Sequence, residues 1–245
     1  GAKVIKIEQP VIGDRSRASG PFIEDESFYF MSINRGKSGL TLDLKKDKGK
    51  EIFLNLVENS DVVLENMSPG AMKRLGLGYE ILSARNQRII YTSISGFGQT
   101  GPYSHKGALD VIIQGMGGVL SITGEPDGPP IRPGVSQGDI TSALFTVIGV
   151  LSAMHERSNS GLGQFVDISM LDCQISILEN AFTRYFATGE VPKPLGTKHP
   201  VTAPFQVFPT KDGFITVALA DGRKEKWPLF CSAIDRIDLI NDERL

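Results

Sequence analysis

The sequence is poor in the residues that mark several large functional classes. It has two cysteines, Cys173 and Cys231. Both lie in apolar segments without ligand-type spacing, so neither a disulfide framework nor a metal site is encoded. Of the few histidines, His105 and His199 stand apart from any serine or cysteine elbow. No G-x-S-x-G occurs, which leaves a hydrolase triad unsupported. A net charge of −2 provides no basic field for nucleic acid. The longest mainly apolar run, "LFTVIGVLSAM", falls short of the roughly 20 residues that cross a bilayer. The start, "GAKVIKIEQP", alternates like a strand and is not built like a signal peptide. These absences predict a cytoplasmic or organelle-matrix protein with reduced thiols, no metal, no membrane and no nucleic-acid partner.

What is present is a globular composition, 40% hydrophobic and 22% charged over 245 residues, enough for one large domain or somewhat more. "KVIKIE" (3–8), "SGLTLDL" (38–44), "DVVLEN" (61–66), "RIIYTSIS" (88–95) and the run Phe165 to Ile168 read as strands. Helical patterns cover 46–60, a segment opening at Pro69, 110–119, 139–157 and a stretch from Ser169 onward with Ile175, Leu178, Ala181, Phe182 and Phe186 in phase. Strands alternating with helices predict an α/β, Rossmann-like large domain with a mainly parallel sheet. After Gly189 the chain turns to "EVPKPLGTKHPVTAP", then to a hairpin over 205–220 turned at Lys211-Asp212-Gly213 and a short helix in "EKWPLFCSAI". The predicted division is a large domain over 1–190 and the beginning of a smaller α+β domain over 191–245.

Three constellations are candidates for chemistry. "GFGQTG", from Gly96 to Gly101, satisfies the G-x-G-x-x-G pattern of dinucleotide sites directly after a strand. Pro102 blocks the helix that should receive a pyrophosphate, and no acidic-ended second strand follows. An NAD-dependent oxidoreductase therefore rests on this motif alone, and a flexible loop that lets backbone approach a ligand is the better reading. Basic residues near strand ends, among them Lys45, Arg74 and Lys106, are either phosphate contacts or ordinary solvated surface. Asp172 opens a helix directly after a strand. Ser169-Met170-Leu171-Asp172 is an S-x-x-D capping pattern, and the same position favours an ionised carboxylate available for attack. Position and residue type leave both roles open.

Taken together, "GAKVIKIEQP", "INRGKSGLTLDLK", "DVVLENMSPGAMKRLGLGYE", "IIYTSISGFGQTGPY" and "GLGQFVDISMLD" resemble the class III CoA-transferases. This is the CaiB/BaiF group, which also holds formyl-CoA and carnitine CoA-transferases and the α-methylacyl-CoA racemases. The resemblance runs over nearly the whole chain. It implies a CoA-transferase using acyl-CoA and a carboxylic acid as substrates, with no permanently bound cofactor, working as an interlocked homodimer. It implies Asp172 as covalent nucleophile, with CoA contacts from Leu42, Lys45, Asn66, Met67, Arg74, Leu75 and Lys106. Gly96, Gly98 and His199 would lie on the acid's side. Racemases of the group carry histidine where this chain has Leu109, before Asp110, so transferase is favoured over racemase. Against the family pattern a strand-helix unit before residue 1 and a long C-terminal portion are missing, which implies a fragment. A fragment that binds CoA without forming an adduct is the remaining alternative.

Overall fold

The alternating "KVIKIE" becomes β1 (Ile5–Glu8) in a computed structural model that describes residues 1–219 and 226–243. A small hairpin, β2 (Phe22–Ile23) and β3 (Glu26–Ser27), leads into α1 (Phe28–Asn34), which Ser27 caps by accepting the Phe30 N–H. There follow β4 (Ser38–Thr41), α2 (Asp47–Glu58), β5 (Val62–Glu65), α3 (Ala71–Arg74), α4 (Tyr79–Arg85) and β6 (Ile90–Ser95). Next come α5 (Asp110–Met116), α6 (Val119–Ile122), the long α7 (Gln137–Ser160), β7 (Phe165–Ser169), α8 (Met170–Ser176) and α9 (Glu179–Thr188). The chain closes with β8 (Phe205–Pro209), β9 (Phe214–Ala218) and α10 (Lys226–Ala233).

The predicted alternation of strand and helix is the observed one, and the fold is α/β with parallel pairing. β1 pairs with β4, and β5, β6 and β7 form a parallel three-stranded sheet with β6 in the centre. The predicted hairpin also forms, β8 against β9; its last predicted residue, Ala220, and Glu225 of the predicted final helix lie outside the described residues. Two predicted helices are each broken in two. The 110–119 pattern stops at Gly117 and Gly118, and the pattern after Ser169 is interrupted between Ser176 and Glu179, where Leu178 is buried and its backbone leaves the helical conformation as the N-cap residue of α9.

The chain forms two compact units that interleave in sequence, Gly1–Leu109 with Asp139–Cys173 and Asp110–Gly138 with Gln174–Leu245. The expected single division at 190 differs from this because long-range bonds unite distant segments. β7 joins β6 in the first unit, and in the second the Gly196 N–H donates to the Gly124 carbonyl at 2.8 Å.

In the first unit the core gathers Leu42, Phe53, Val57, Met72, Leu77, Leu82, Ile89 and Tyr91. Phe53 and Val57 lie one turn apart on α2, so one helical face is apolar and buried. Each fully buried Leu or Ile contributes roughly 1.5–3 kcal/mol.

Helix α7 inverts the usual pattern. Its buried residues include Ser142, Thr146, Ala153 and Arg157, and a Cβ at Gly149 would stand 2.9 Å from Val166. Small side chains therefore let the helix approach β7 closely. Arg157 is buried and donates to the carbonyls of Arg88 (2.9 Å) and Asp61 (3.3 Å) and to the Asp61 carboxylate (2.9 Å). Ile140, Leu144, Val147, Ile148 and Leu151 are between 50% and 60% exposed. By length and composition α7 is apolar enough to cross a membrane, a property hidden from a count of uninterrupted apolar residues.

Candidate active site

Parallel pairing in register places Glu65, Ser93 and Asp167 side by side across β5, β6 and β7, with Ser95 opposite Ser169 two residues further on. Alternation of side chains puts all five on one face at the carboxyl end of the sheet, where α/β folds bind ligands. The row is hydrogen-bonded. Glu65 accepts from the Tyr91 hydroxyl (3.0 Å), from the Ser93 hydroxyl and from the Met67 N–H (2.7 Å). Burial raises the Tyr91 phenol well above its ordinary pKa, and the neighbouring Glu65 carboxylate adds to the effect.

The glycine-rich segment after β6 lies over this row as an ordered loop. Gln99 donates its backbone N–H to Asp167 Oδ2 (2.8 Å) and its side-chain amide to Ser93 Oγ (3.0 Å). Gly98 adopts φ 78, the left-handed region that favours glycine, with its α-carbon facing Asp167 and Ser169. At Gly96 a Cβ would come within 2.4 Å of the Ala108 Cβ, so only glycine fits. The Gly96 carbonyl accepts the Leu171 N–H at 3.1 Å. After Gly101 the chain turns through Tyr103, and the next helix begins only at Asp110. The strand-loop-helix context of a dinucleotide site is therefore missing.

Helix α8 starts where the capping pattern predicts. Ser169 Oγ accepts the Asp172 N–H at 3.2 Å, while Ser169, Met170 and Cys173 are buried and Asp172 is exposed. Burial pushes the Cys173 thiol up, and the adjacent Asp172 charge raises it further. The cap and the exposed carboxylate thus coexist at one turn.

The residues expected to meet CoA fall mainly behind parallel strands of the same unit. Leu42 and Lys45 follow β4, and Asn66 and Met67 follow β5. Leu42 is buried in the core and Leu75 packs against it, so both side chains serve packing. Lys45, Asn66, Met67, Arg74 and Lys106 are exposed. Arg74 donates to the Pro69 carbonyl at 3.0 Å, and the Lys106 ammonium sits 3.8 Å from the centre of the Tyr103 ring.

In the second unit His199 lines a cavity of about 320 Å3 together with Arg184, Lys193, Lys198 and Glu179, over apolar Leu178. Its Nδ1 accepts the N–H groups of Val201 (3.3 Å) and Thr202 (3.1 Å), which leaves Nε2 as the donor. Asp110, beside the racemase-relevant position, accepts from Gln114 (2.7 Å), Arg132 (3.2 Å) and the Gly138 N–H (2.9 Å). These bonds give it a structural role in tying α5 to the start of α7. Among the described residues no group of three or more His, Cys, Asp or Glu gathers as a metal site.

Sequence reasoning missed Glu65, Ser93, Gln99 and Asp167. For Glu65, Ser93 and Asp167 the signal was polar residues alternating through otherwise apolar strand ends, "VVLE", "YTSIS" and "VDIS"; Gln99, in the loop after β6, carried none.

The profile of CoA-transferase family III matches residues 1–245. Acetyl-CoA:oxalate CoA-transferase of Acetobacter aceti is 42% identical over 245 residues, covering 100% of this chain and 62% of its own length. Succinyl-CoA:mesaconate CoA-transferase of Haloarcula hispanica is 42% identical over 252 residues, covering 99% and 63%. A CaiB/BaiF family protein from Brucella suis, known as a crystal structure, superposes with a TM-score of 0.87 at 40% identity, over 100% of this chain and 65% of that one. The chain spans less than two thirds of the length of these relatives. Its exposed Asp172, capped by Ser169 at the carboxyl edge of a parallel sheet, stands in a sequence matched from end to end, and the chain belongs to CoA-transferase family III.

Proposed function

We propose that this chain carries the nucleophile of a CoA-transferase that moves CoA from an acyl-CoA to a small carboxylic acid. The observation that carries the reading is Asp172: exposed, in the first turn of α8, with its own backbone N–H held by Ser169. An Asp172 oxygen attacks the thioester carbonyl carbon, the C–S bond breaks, and CoA leaves as thiolate. The resulting mixed anhydride is attacked by that thiolate at the Asp172 carbonyl, which releases the donor acid and leaves an aspartyl-CoA thioester. The acceptor carboxylate attacks this thioester and frees the thiolate again. Attack of the thiolate on the acceptor's carbonyl then yields the new acyl-CoA and restores Asp172. Covalent capture divides one difficult exchange into easier steps.

The exposed Lys45, Asn66, Met67, Arg74 and Lys106 are proposed as CoA contacts, with Arg74 and Lys106 supplying charge for phosphates. For Leu42 and Leu75 the proposal narrows to backbone contacts, because their side chains belong to the core. Gly96 and Gly98 are proposed to line the acid's side. His199, donating from Nε2 in a cavity with three cationic neighbours, is proposed as a carboxylate contact. The relatives named above act on oxalate and mesaconate, so short dicarboxylic acids are the acceptors to try first.

A homodimer is proposed as the working unit, supported by the apolar stripe of α7. That helix is two-sided, with Ser142, Thr146 and the ion-paired Arg157 on its buried face, which favours packing against protein over a lipid surroundings. Two free, buried cysteines support a reducing compartment, cytoplasm or organelle matrix.

The test is peptide mass spectrometry of the full chain after incubation with a panel of acyl-CoAs and quenching with hydroxylamine. A hydroxamate on the peptide holding Asp172, missing in Asp172→Ala, supports the reading. CoA binding without any adduct would replace it with a non-catalytic CoA-binding protein.

A further inference from the structure

We propose that Gln99 is the positioning residue of Asp172: by fastening the 96–99 loop to β6 and β7 it sets the first turn of α8 and with it the carboxylate. The inference rests on Asp172 being the nucleophile. Two N–H groups of the first turn have identified partners, and they come from different places. The Asp172 N–H goes to Ser169, inside the local cap, whereas the Leu171 N–H goes to the Gly96 carbonyl, in the loop. Helix and loop are therefore hydrogen-bonded to each other, and the loop adds a second hold on the helix start beside the Ser169 cap.

The segment's own aromatic contact is Phe97 edge-on to Tyr103, 5.4 Å between ring centres. Glycines at 96, 98 and 101 leave its backbone free to adopt many conformations. Gln99 removes that freedom at two points, its N–H on Asp167 of β7 and its side-chain amide on Ser93 of β6. An amide is specifically required at the second point. The Ser93 hydroxyl already donates its proton to Glu65, so it can only accept, and a carboxylate at position 99 would face an acceptor beside Glu65 and Asp167. The tether thus reads across all three strands, Glu65 to Ser93 to Gln99 to Asp167, and ends under the helix that carries the nucleophile.

The experiment compares wild type, Gln99→Leu, Asp167→Ala and Asp167→Asn in the full chain by two readouts. The first is amide hydrogen exchange at Leu171, with the Tyr91 amide of β6 as control for global folding. The second is the rate of hydroxamate-trappable adduct at Asp172 together with KM for the acyl-CoA. The expected result for Gln99→Leu is Leu171 exchange at least five-fold faster with Tyr91 unchanged, and adduct formation at least five-fold slower with KM within two-fold of wild type. Asp167→Ala, which cuts the other tether and keeps Gln99, should do the same, while Asp167→Asn, which keeps an acceptor oxygen, should stay near wild type. Wild-type Leu171 exchange in both Gln99→Leu and Asp167→Ala overturns the proposal, and so does adduct formation at the wild-type rate. If wild type itself never forms an adduct, the transferase reading fails, and Leu171 exchange alone decides whether Gln99 holds α8.

Discussion

Ser169 Oγ accepts the backbone N–H of Asp172 at 3.2 Å, so one hydroxyl both begins α8 and holds the proposed nucleophile in its first turn. The bond uses the aspartate's backbone, which leaves the carboxylate outside it. Ser169→Ala should cost about 1 kcal/mol of stability, as loss of an N-cap does, read as a lower urea midpoint, and should slow adduct formation. Asp172→Asn keeps the cap and should unfold at nearly the wild-type midpoint while forming no adduct.

Arg157 gives a contrast in magnitude. Its side chain is 8% exposed, but that of its partner Asp61 is 74% exposed. Removing the guanidinium therefore strands no buried carboxylate. The loss falls on the carbonyls of Arg88 and Asp61, so Arg157→Met should cost about 1–3 kcal/mol, below the roughly 3–5 kcal/mol of a broken, fully buried pair. Denaturant unfolding measures the difference.

Acid stability should depend on Asp14. Burial pushes its carboxyl up, but hydrogen bonds from Lys6 and Ser16 outweigh this and hold it at about 2, against an ordinary 3.8. A carboxyl depressed in the folded state stabilises above its unfolded pKa, and the contribution disappears as pH falls through the folded one. The stability gap between wild type and Asp14→Asn should thus be full above pH 3.8 and close toward pH 2, as followed by urea titrations across that range.

Cys173 should resist alkylation in the native protein. Burial is the larger cause of its raised pKa and the Asp172 charge the smaller. Iodoacetamide at pH 8 should label it only after denaturation, and Asp172→Asn should leave native labelling slow. Fast native labelling in that variant would show the charge, and not burial, to be the dominant protection.

The outer stripe of α7 predicts an interface. Leu144→Lys with Ile148→Lys changes residues that are 60% and 57% exposed, so the subunit should keep its fold by circular dichroism. Light scattering after size exclusion should show the dimer lost, and an unchanged mass would assign the stripe to another surface.

Much of the fold was legible locally. Alternation in "KVIKIE", the apolar stripe through Phe53, the Lys211-Asp212-Gly213 turn and the Ser169 cap are each settled by residues within a few positions, where backbone preference and short hydrogen bonds decide. The α8–α9 break was not legible, because Leu178 fits a helical phase in the sequence and only its backbone, φ −95 and ψ 31, departs from the helix.

The sequence by itself determined the order of most strands and helices, the α/β class and a helix start with Asp172 in its first turn, since all follow from local periodicity and capping chemistry. Only the tertiary structure decided that Glu65, Ser93 and Asp167 stand in one row and that Gln99, 68 positions from Asp167, clamps the glycine loop to that row. It also decided that Leu42 serves the core and that α7 turns its large apolar residues outward. These depend on strand register and on which helix face finds a neighbour, and contacts between residues far apart in the chain leave no periodic signal in it.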